Sequence, residues 1–175
     1  MGKYDKNKYN NQNSIKNNIK FLVKFFIYCI VLFLILEPLG VKLINLVAYQ
    51  SYLILNLFTD ASYNGCYIYL NNLKIEVIGV CTGLWLISIY LALVLALSRN
   101  IKEVVIGLPL LALVYFGNIL RIVLVGALGM LFVNKVHTIH DIVGYTTVPI
   151  MTVMASMIYM KILDKMRENN GNSNS

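Results

Sequence analysis

A chain of 175 residues with 58% hydrophobic and 13% charged residues is too apolar for a soluble domain, which carries about a quarter charged residues. Its formal charge of +7 gathers beside apolar segments and not in an Arg/Lys stripe interleaved with aromatics, which argues against a nucleic-acid partner and for a membrane protein. Three cysteines, Cys29, Cys66 and Cys81, cannot all pair within one chain, and no CxxC or Cys/His spacing makes a zinc site, so no metal and no organic cofactor is implied.

Residues 1–16 are rich in Asn, Lys and Tyr and poor in aliphatic side chains, the composition of a disordered arm. They do not read as a cleavable signal peptide, because no small-residue cleavage site closes the apolar run that follows. A first span is expected from Phe21 to Pro38, with Lys20 and Lys24 snorkelling to the interface. Glu37-Pro38-Leu39-Gly40 has the form of a helix stop. Val41 to Thr59 is apolar, with polar interruptions at Asn45, Gln50, Ser51 and Asn56. It could form a second span, but a helix lying at the outer interface fits the charge distribution better.

Asn64-Gly65 is a turn signal, and Cys66–Leu70 and Leu73–Val77, with Asn71-Asn72 between them, read as a short β-hairpin. Such a hairpin belongs outside the hydrocarbon, where an open sheet edge does not face lipid. Thr82 to Leu97 is an uncharged span closed by Arg99-Asn100-Ile101-Lys102-Glu103. Val104 to Val133 is then apolar for thirty positions, broken mainly by Asn118 and Arg121. As one helix it would cover about 45 Å, more than the roughly 30 Å of a hydrocarbon core. A break is therefore expected near Asn118–Arg121, leaving Ile122 to Val133 as a short re-entrant or interfacial helix. The last span runs from Val143 to Met160, followed by Lys161, Lys165 and Arg167.

The expected architecture is an all-α polytopic membrane protein. It has about four transmembrane helices, interfacial or re-entrant helices and a short extracytoplasmic β-hairpin. Residues 1–16 form a disordered cytoplasmic arm, 17–166 a single transmembrane domain and 167–175 a disordered tail. With both termini cytoplasmic, eleven of the fifteen Lys and Arg lie inside, and only Lys42, Lys74, Arg121 and Lys135 lie outside. That arrangement puts Cys81, Arg121 and His140 at one extracytoplasmic face.

Polar groups at membrane depth are costly, so those present are candidates for function. Cys81, in Val80-Cys81-Thr82-Gly83, falls where a strand-like segment meets a helix start. Helix N-termini favour the thiolate, which is the nucleophile. Gly83 permits close approach of another chain. Taken alone, the segment reads at least as well as a small cysteine packed at a helix start. Asn118 and Arg121 share a helical face, and an arginine there suits an oxyanion or thiolate, or else lipid phosphates. His137 and His140 are the only histidines, suited to moving a proton, with Asp141 able to orient a ring or cap a helix. By themselves they read better as interfacial polar residues. Together, a Cys, an Arg and a His on one membrane face form a set for acyl transfer.

Taken in order, Cys81-Thr82-Gly83, Asn118-Ile119-Leu120-Arg121-Ile122 and His140-Asp141-Ile142-Val143-Gly144 resemble the exosortase/archaeosortase family. That family is recognised by a Cys-Ser-Gly-like motif before a transmembrane helix, an Asn-x-x-Arg-Ile-like motif, and a His followed by a Gly. The resemblance extends from Leu39 to Met160, with Thr82 standing where Ser is usual and without the extra spans of longer members. The Asn, Lys, Ile and Tyr bias mildly favours the archaeosortase side.

The resemblance implies a membrane cysteine peptidase or transpeptidase. In it Cys81 is the nucleophile, Arg121 the stabiliser of thiolate or oxyanion, and His140 the acid/base, favoured over His137 by the following Asp141 and Gly144. It also implies secreted protein substrates ending in a motif, a hydrophobic span and a basic tail, cleaved near the motif and passed to a membrane lipid or other surface acceptor. A non-enzymatic membrane scaffold or small transport component is the alternative. A lipid phosphatase is disfavoured because no Ser-Gly-His element is present.

Overall fold

The computed structural model describes residues 3–71 and 73–172, with side chains from Ile15 to Asn169. The chain forms helix α1 (Lys3–Leu55), then strands β1 (Ala61–Asn64), β2 (Tyr67–Leu70) and β3 (Leu73–Glu76). A 3-10 turn, Gly79–Thr82, leads into α2 (Leu84–Leu97) and α3 (Ile101–Gly107). After a second 3-10 turn come α4 (Leu111–Leu131), a third turn, and α5 (Val136–Asn172). Three helical stretches, Ile15–Leu55, Ile101–Leu131 and Val133–Asn169, are long and apolar enough to cross a membrane, and α2 is a shorter apolar helix. The all-α polytopic class therefore holds. Of the expected arm 1–16 and tail 167–175, residues 1–2 and 173–175 lie outside the described residues; α1 is traced from Lys3 and α5 to Asn172.

Two expected breaks are absent. Helix α1 runs straight through Pro38, so Val41 to Leu55 continues it and is not a separate interfacial helix. A proline forgoes only one backbone bond, and neighbouring helices hold a membrane helix through it. Here Phe33 packs on Trp85, with ring centroids 4.5 Å apart, on one side of Pro38. On the other side Gly40 lies so close to Leu84 that a Cβ would approach its Cδ1 to 2.9 Å. Helix α4 likewise continues across Asn118–Arg121, and the irregularity falls earlier, at Leu108–Leu110 around Pro109. Asn118 and Arg121 find protein partners, so the helix carries them without breaking. The described α1 stretch of 41 residues is about 60 Å long, twice a hydrocarbon core. Helix α1 is therefore longer than one crossing requires.

The sheet follows the C-terminal end of α1 and is antiparallel in the order β1-β2-β3. The expected hairpin is β2–β3, and β1 joins it across a turn in which Gly65 takes φ 61°. The sheet's inner face, with Ile68 and Leu70, packs with Val77 on Val47, Ala48 and Leu55 of α1 and on Ile119, Ile122 and Val123 of α4. At the opposite, basic end, Tyr90 and Val94 of α2, Val114 of α4 and Ala155, Tyr159 and Leu163 of α5 form a second cluster. Glu103, 4% exposed, is paired there with Arg167 at 2.8 Å, and Arg167 also donates to the Leu97 carbonyl. This pair ties the α2–α3 connection to α5.

Candidate functional site

Between the two clusters lies the turn that carries Cys81. Val77 leaves β3 and is buried, and the chain then tightens so that the Cys81 N–H donates to the Ile78 carbonyl at 2.8 Å. Thr82 Oγ1 donates to the Gly79 carbonyl at 2.7 Å. Gly83 follows at φ 74°, ψ 8°, a left-handed conformation that turns the chain into α2 and disfavours any Cβ. Asn118 also blocks a Cβ there, since its Cγ would lie 2.9 Å away. Asn118 is buried and donates from Nδ2 to the Cys81 carbonyl at 2.6 Å. The cysteine turn is thereby pinned to the middle of α4.

One helical turn on, Arg121 reaches toward α5. Its Nη2 lies 3.3 Å from His140 Nε2, and its guanidinium rests on the bare backbone of Gly144, where a Cβ would come within 3.1 Å of Nη2. His140 Nδ1 is 3.4 Å from Asp141 Oδ1. An arginine only donates, so Nε2 accepts and Nδ1 carries the ring proton toward Asp141. Arg121 makes no ion pair among the described residues, which leaves its charge available to an anion.

Cys81, Arg121 and His140 line one cleft together with Ile75, Glu76, Val77, Ile122 and Val125. Its volume of about 40 Å³ holds a few waters and no peptide. No hydrogen bond joins the Cys81 thiol to Arg121 or His140. The cleft therefore presents the three groups side by side, with the thiol not yet coupled to either partner.

Of the residues singled out in the sequence, the structure gathers Cys81, Arg121 and His140 in the cleft, with Asn118, Gly83 and Asp141 around them. His137 is exposed on α5 and does not line the cleft. Neither Cys29 nor Cys66 lines it. The sequence names Gly144 without its contact to Arg121, and does not single out Glu76. Gly144 seats the Arg121 guanidinium, and Glu76 lines the cleft between Ile75 and Val77. The period-two alternation of Leu73, Ile75 and Val77 against Lys74 and Glu76 was the available signal for Glu76. Glu76 accepts a hydrogen bond from the Tyr67 hydroxyl at 3.3 Å, and its negative charge raises the Tyr67 phenol above its ordinary value.

Residues 17–158 match the family model described as Transmembrane exosortase (Exosortase_EpsH). Over 165 residues the chain is 38% identical to a protein described as probable archaeosortase E from Methanocaldococcus jannaschii, covering 94% of this chain and 90% of that one. No solved structure matches the chain.

Proposed function

The chain belongs to the transmembrane exosortase family, and on that premise we propose that it is a cysteine transpeptidase with Cys81 as nucleophile. The observation that carries this reading is the shared cleft. Cys81 comes from a turn, Arg121 from α4 and His140 from α5, yet all three line one small space. The Cys81 thiolate attacks a peptide carbonyl of a secreted protein, and the charge that develops on the carbonyl oxygen falls to Arg121. Arg121 leaves His140 Nε2 to do so, which frees that nitrogen to take the thiol proton and return it to the leaving amine. The thioester that remains is resolved by an acceptor nucleophile, and the thiol is restored.

The substrate carries a C-terminal motif, a hydrophobic span and a basic tail, and the acceptor is a membrane lipid. Both termini are cytoplasmic and the cleft opens to the extracytoplasmic side. The charge distribution supports that orientation: Arg99, Lys102, Lys161, Lys165 and Arg167 gather at the end away from the sheet. Helix α2 supports the acceptor. Its 14 residues rise about 21 Å from the basic end, so in a core of about 30 Å Cys81, in the turn beyond α2, lies in the far half of the bilayer, on the side of the outer-leaflet lipids.

The test is the Cys81→Ala variant, expressed beside a secreted protein of the same cell with such a C-terminus. Loss of processing with expression intact is expected. Normal processing would end the cysteine reading and leave a scaffold.

A further inference from the structure

The cleft is bounded on one side by the edge of a sheet. Strand β3 is the last strand, and Ile75, Glu76 and Val77 form the wall facing Arg121 and His140. Antiparallel pairs alternate between those that exchange main-chain hydrogen bonds and those that do not. Val77 N–H bonds to the Cys66 carbonyl at 2.9 Å, one step beyond the Tyr67–Glu76 pair. By alternation Ile75 and Leu73 also face β2, whereas the N–H and C=O groups of Lys74 and Glu76 face outward. Among the described residues no hydrogen bond occupies them.

Proteins usually guard such an edge with charged side chains. Both charged side chains of β3 are instead drawn back across the sheet. Lys74 Nζ sits 3.9 Å from the centre of the Tyr67 ring, and the Glu76 carboxylate is held by the Tyr67 hydroxyl. The main-chain edge is left open, and it leads directly to the turn that holds Cys81.

We propose that the substrate adds to β3 as a fourth strand, its extended main chain pairing with Lys74 and Glu76 and its scissile carbonyl carried onto Cys81. This rests on the cysteine reading of the site and deepens it by naming the recognition mode. The ligand is extended peptide main chain, bound by hydrogen bonds any sequence can make, with alternate side chains pointing to the cleft floor and away from it. A secreted chain that enters the membrane after its cut site runs in the same sense as β3, which leads through Cys81 into α2. The added strand is therefore parallel. Pairing at the edge also explains how a cleft with room for only a few waters serves a peptide: the peptide lies along its rim.

The test uses the full chain in native membranes, with Cys29 and Cys66 replaced by Ser so that Cys81 is the one thiol. The probe is acetyl-tri-alanine chloromethyl ketone, compared with iodoacetamide. In each case the thiolate displaces halide and forms a C–S bond. The peptide should label Cys81 about tenfold faster relative to iodoacetamide, the scale of two or so main-chain hydrogen bonds. Methylating successive peptide nitrogens should alternate, one position losing that advantage and its neighbour keeping it. In the protein, Glu76→Pro removes an outward N–H without touching the ladder to β2, and should abolish the advantage where Glu76→Ala, which keeps the N–H, largely preserves it. The methylated peptides make the same test on the unaltered edge, so a misfolded proline variant does not decide the matter. A Cys81 that reacts with iodoacetamide but shows no peptide advantage, or none that alternates, overturns edge pairing and leaves the cysteine reading standing. A Cys81 that reacts with neither overturns both.

Discussion

Asn118 on α4 and Cys81 in the turn before α2 are joined by a 2.6 Å hydrogen bond from the Asn118 amide nitrogen to the Cys81 carbonyl. Asn118 Oδ1 is buried without a partner, so the side chain is kept there through its amide nitrogen alone. Asn118→Ala should leave the Cys81 carbonyl without its donor and lower stability by about 1–3 kcal/mol. It should lower processing further than that loss explains, because the nucleophile's turn is released. Thermal unfolding in detergent beside a processing assay separates the two effects.

Gly144 tests whether the Arg121 position matters. A methyl group at this site would sit 3.1 Å from Nη2 and 3.2 Å from Nε. The guanidinium ends a flexible side chain and can move aside, so Gly144→Ala should fold with nearly unchanged melting temperature. Displacement of about 1 Å at a reacting centre costs up to a hundredfold, so processing should fall by tenfold or more. Unchanged processing would mean that the Arg121–His140 contact is not used.

Gly83 and Gly65 share a left-handed backbone, at φ 74° and 61°, but differ in surroundings. Nothing lies within 4 Å of a Cβ at Gly65, whereas Asn118 crowds one at Gly83. Gly65→Ala should cost about 1 kcal/mol for its backbone alone. Gly83→Ala should cost clearly more and should also abolish processing. Paired unfolding measurements check the order.

At the basic end, removing one member of the Glu103–Arg167 pair strands a buried charge. Arg167→Ala should destabilise by about 3 kcal/mol, whereas Glu103→Gln with Arg167→Met should be much milder. A double-mutant cycle in detergent measures the coupling.

Orientation has its own check. In intact cells carrying Cys81 as the one thiol, a membrane-impermeant maleimide should label it without permeabilisation. Labelling only after permeabilisation would place the cleft on the other side.

Much of the site was legible because this chain has so few polar residues in its apolar runs. Cys81, Arg121 and His140 each interrupt or flank such a run, and that rarity marks them. The break expected at Pro38 rests on a local stop signal and the one at Asn118 on the length of the apolar run, and neither weighs the neighbours that hold the helix. Gly40 against Leu84, and Asn118 against Cys81, are contacts between distant parts of the chain that keep each helix whole. Strand β1, Ala-Ser-Tyr-Asn, has little strand propensity and exists because Gly65 turns it onto β2. The Glu103–Arg167 pair joins residues 64 positions apart, and no local pattern announces it.

The most direct measurement is the search for a covalent intermediate. The protein would be purified from cells producing a secreted partner with a C-terminal motif, span and basic tail, and analysed by mass spectrometry. The account predicts a hydroxylamine-sensitive peptide adduct on Cys81, absent from Cys81→Ala together with processing. Continued processing by Cys81→Ala, with no adduct on the cysteine, would contradict it.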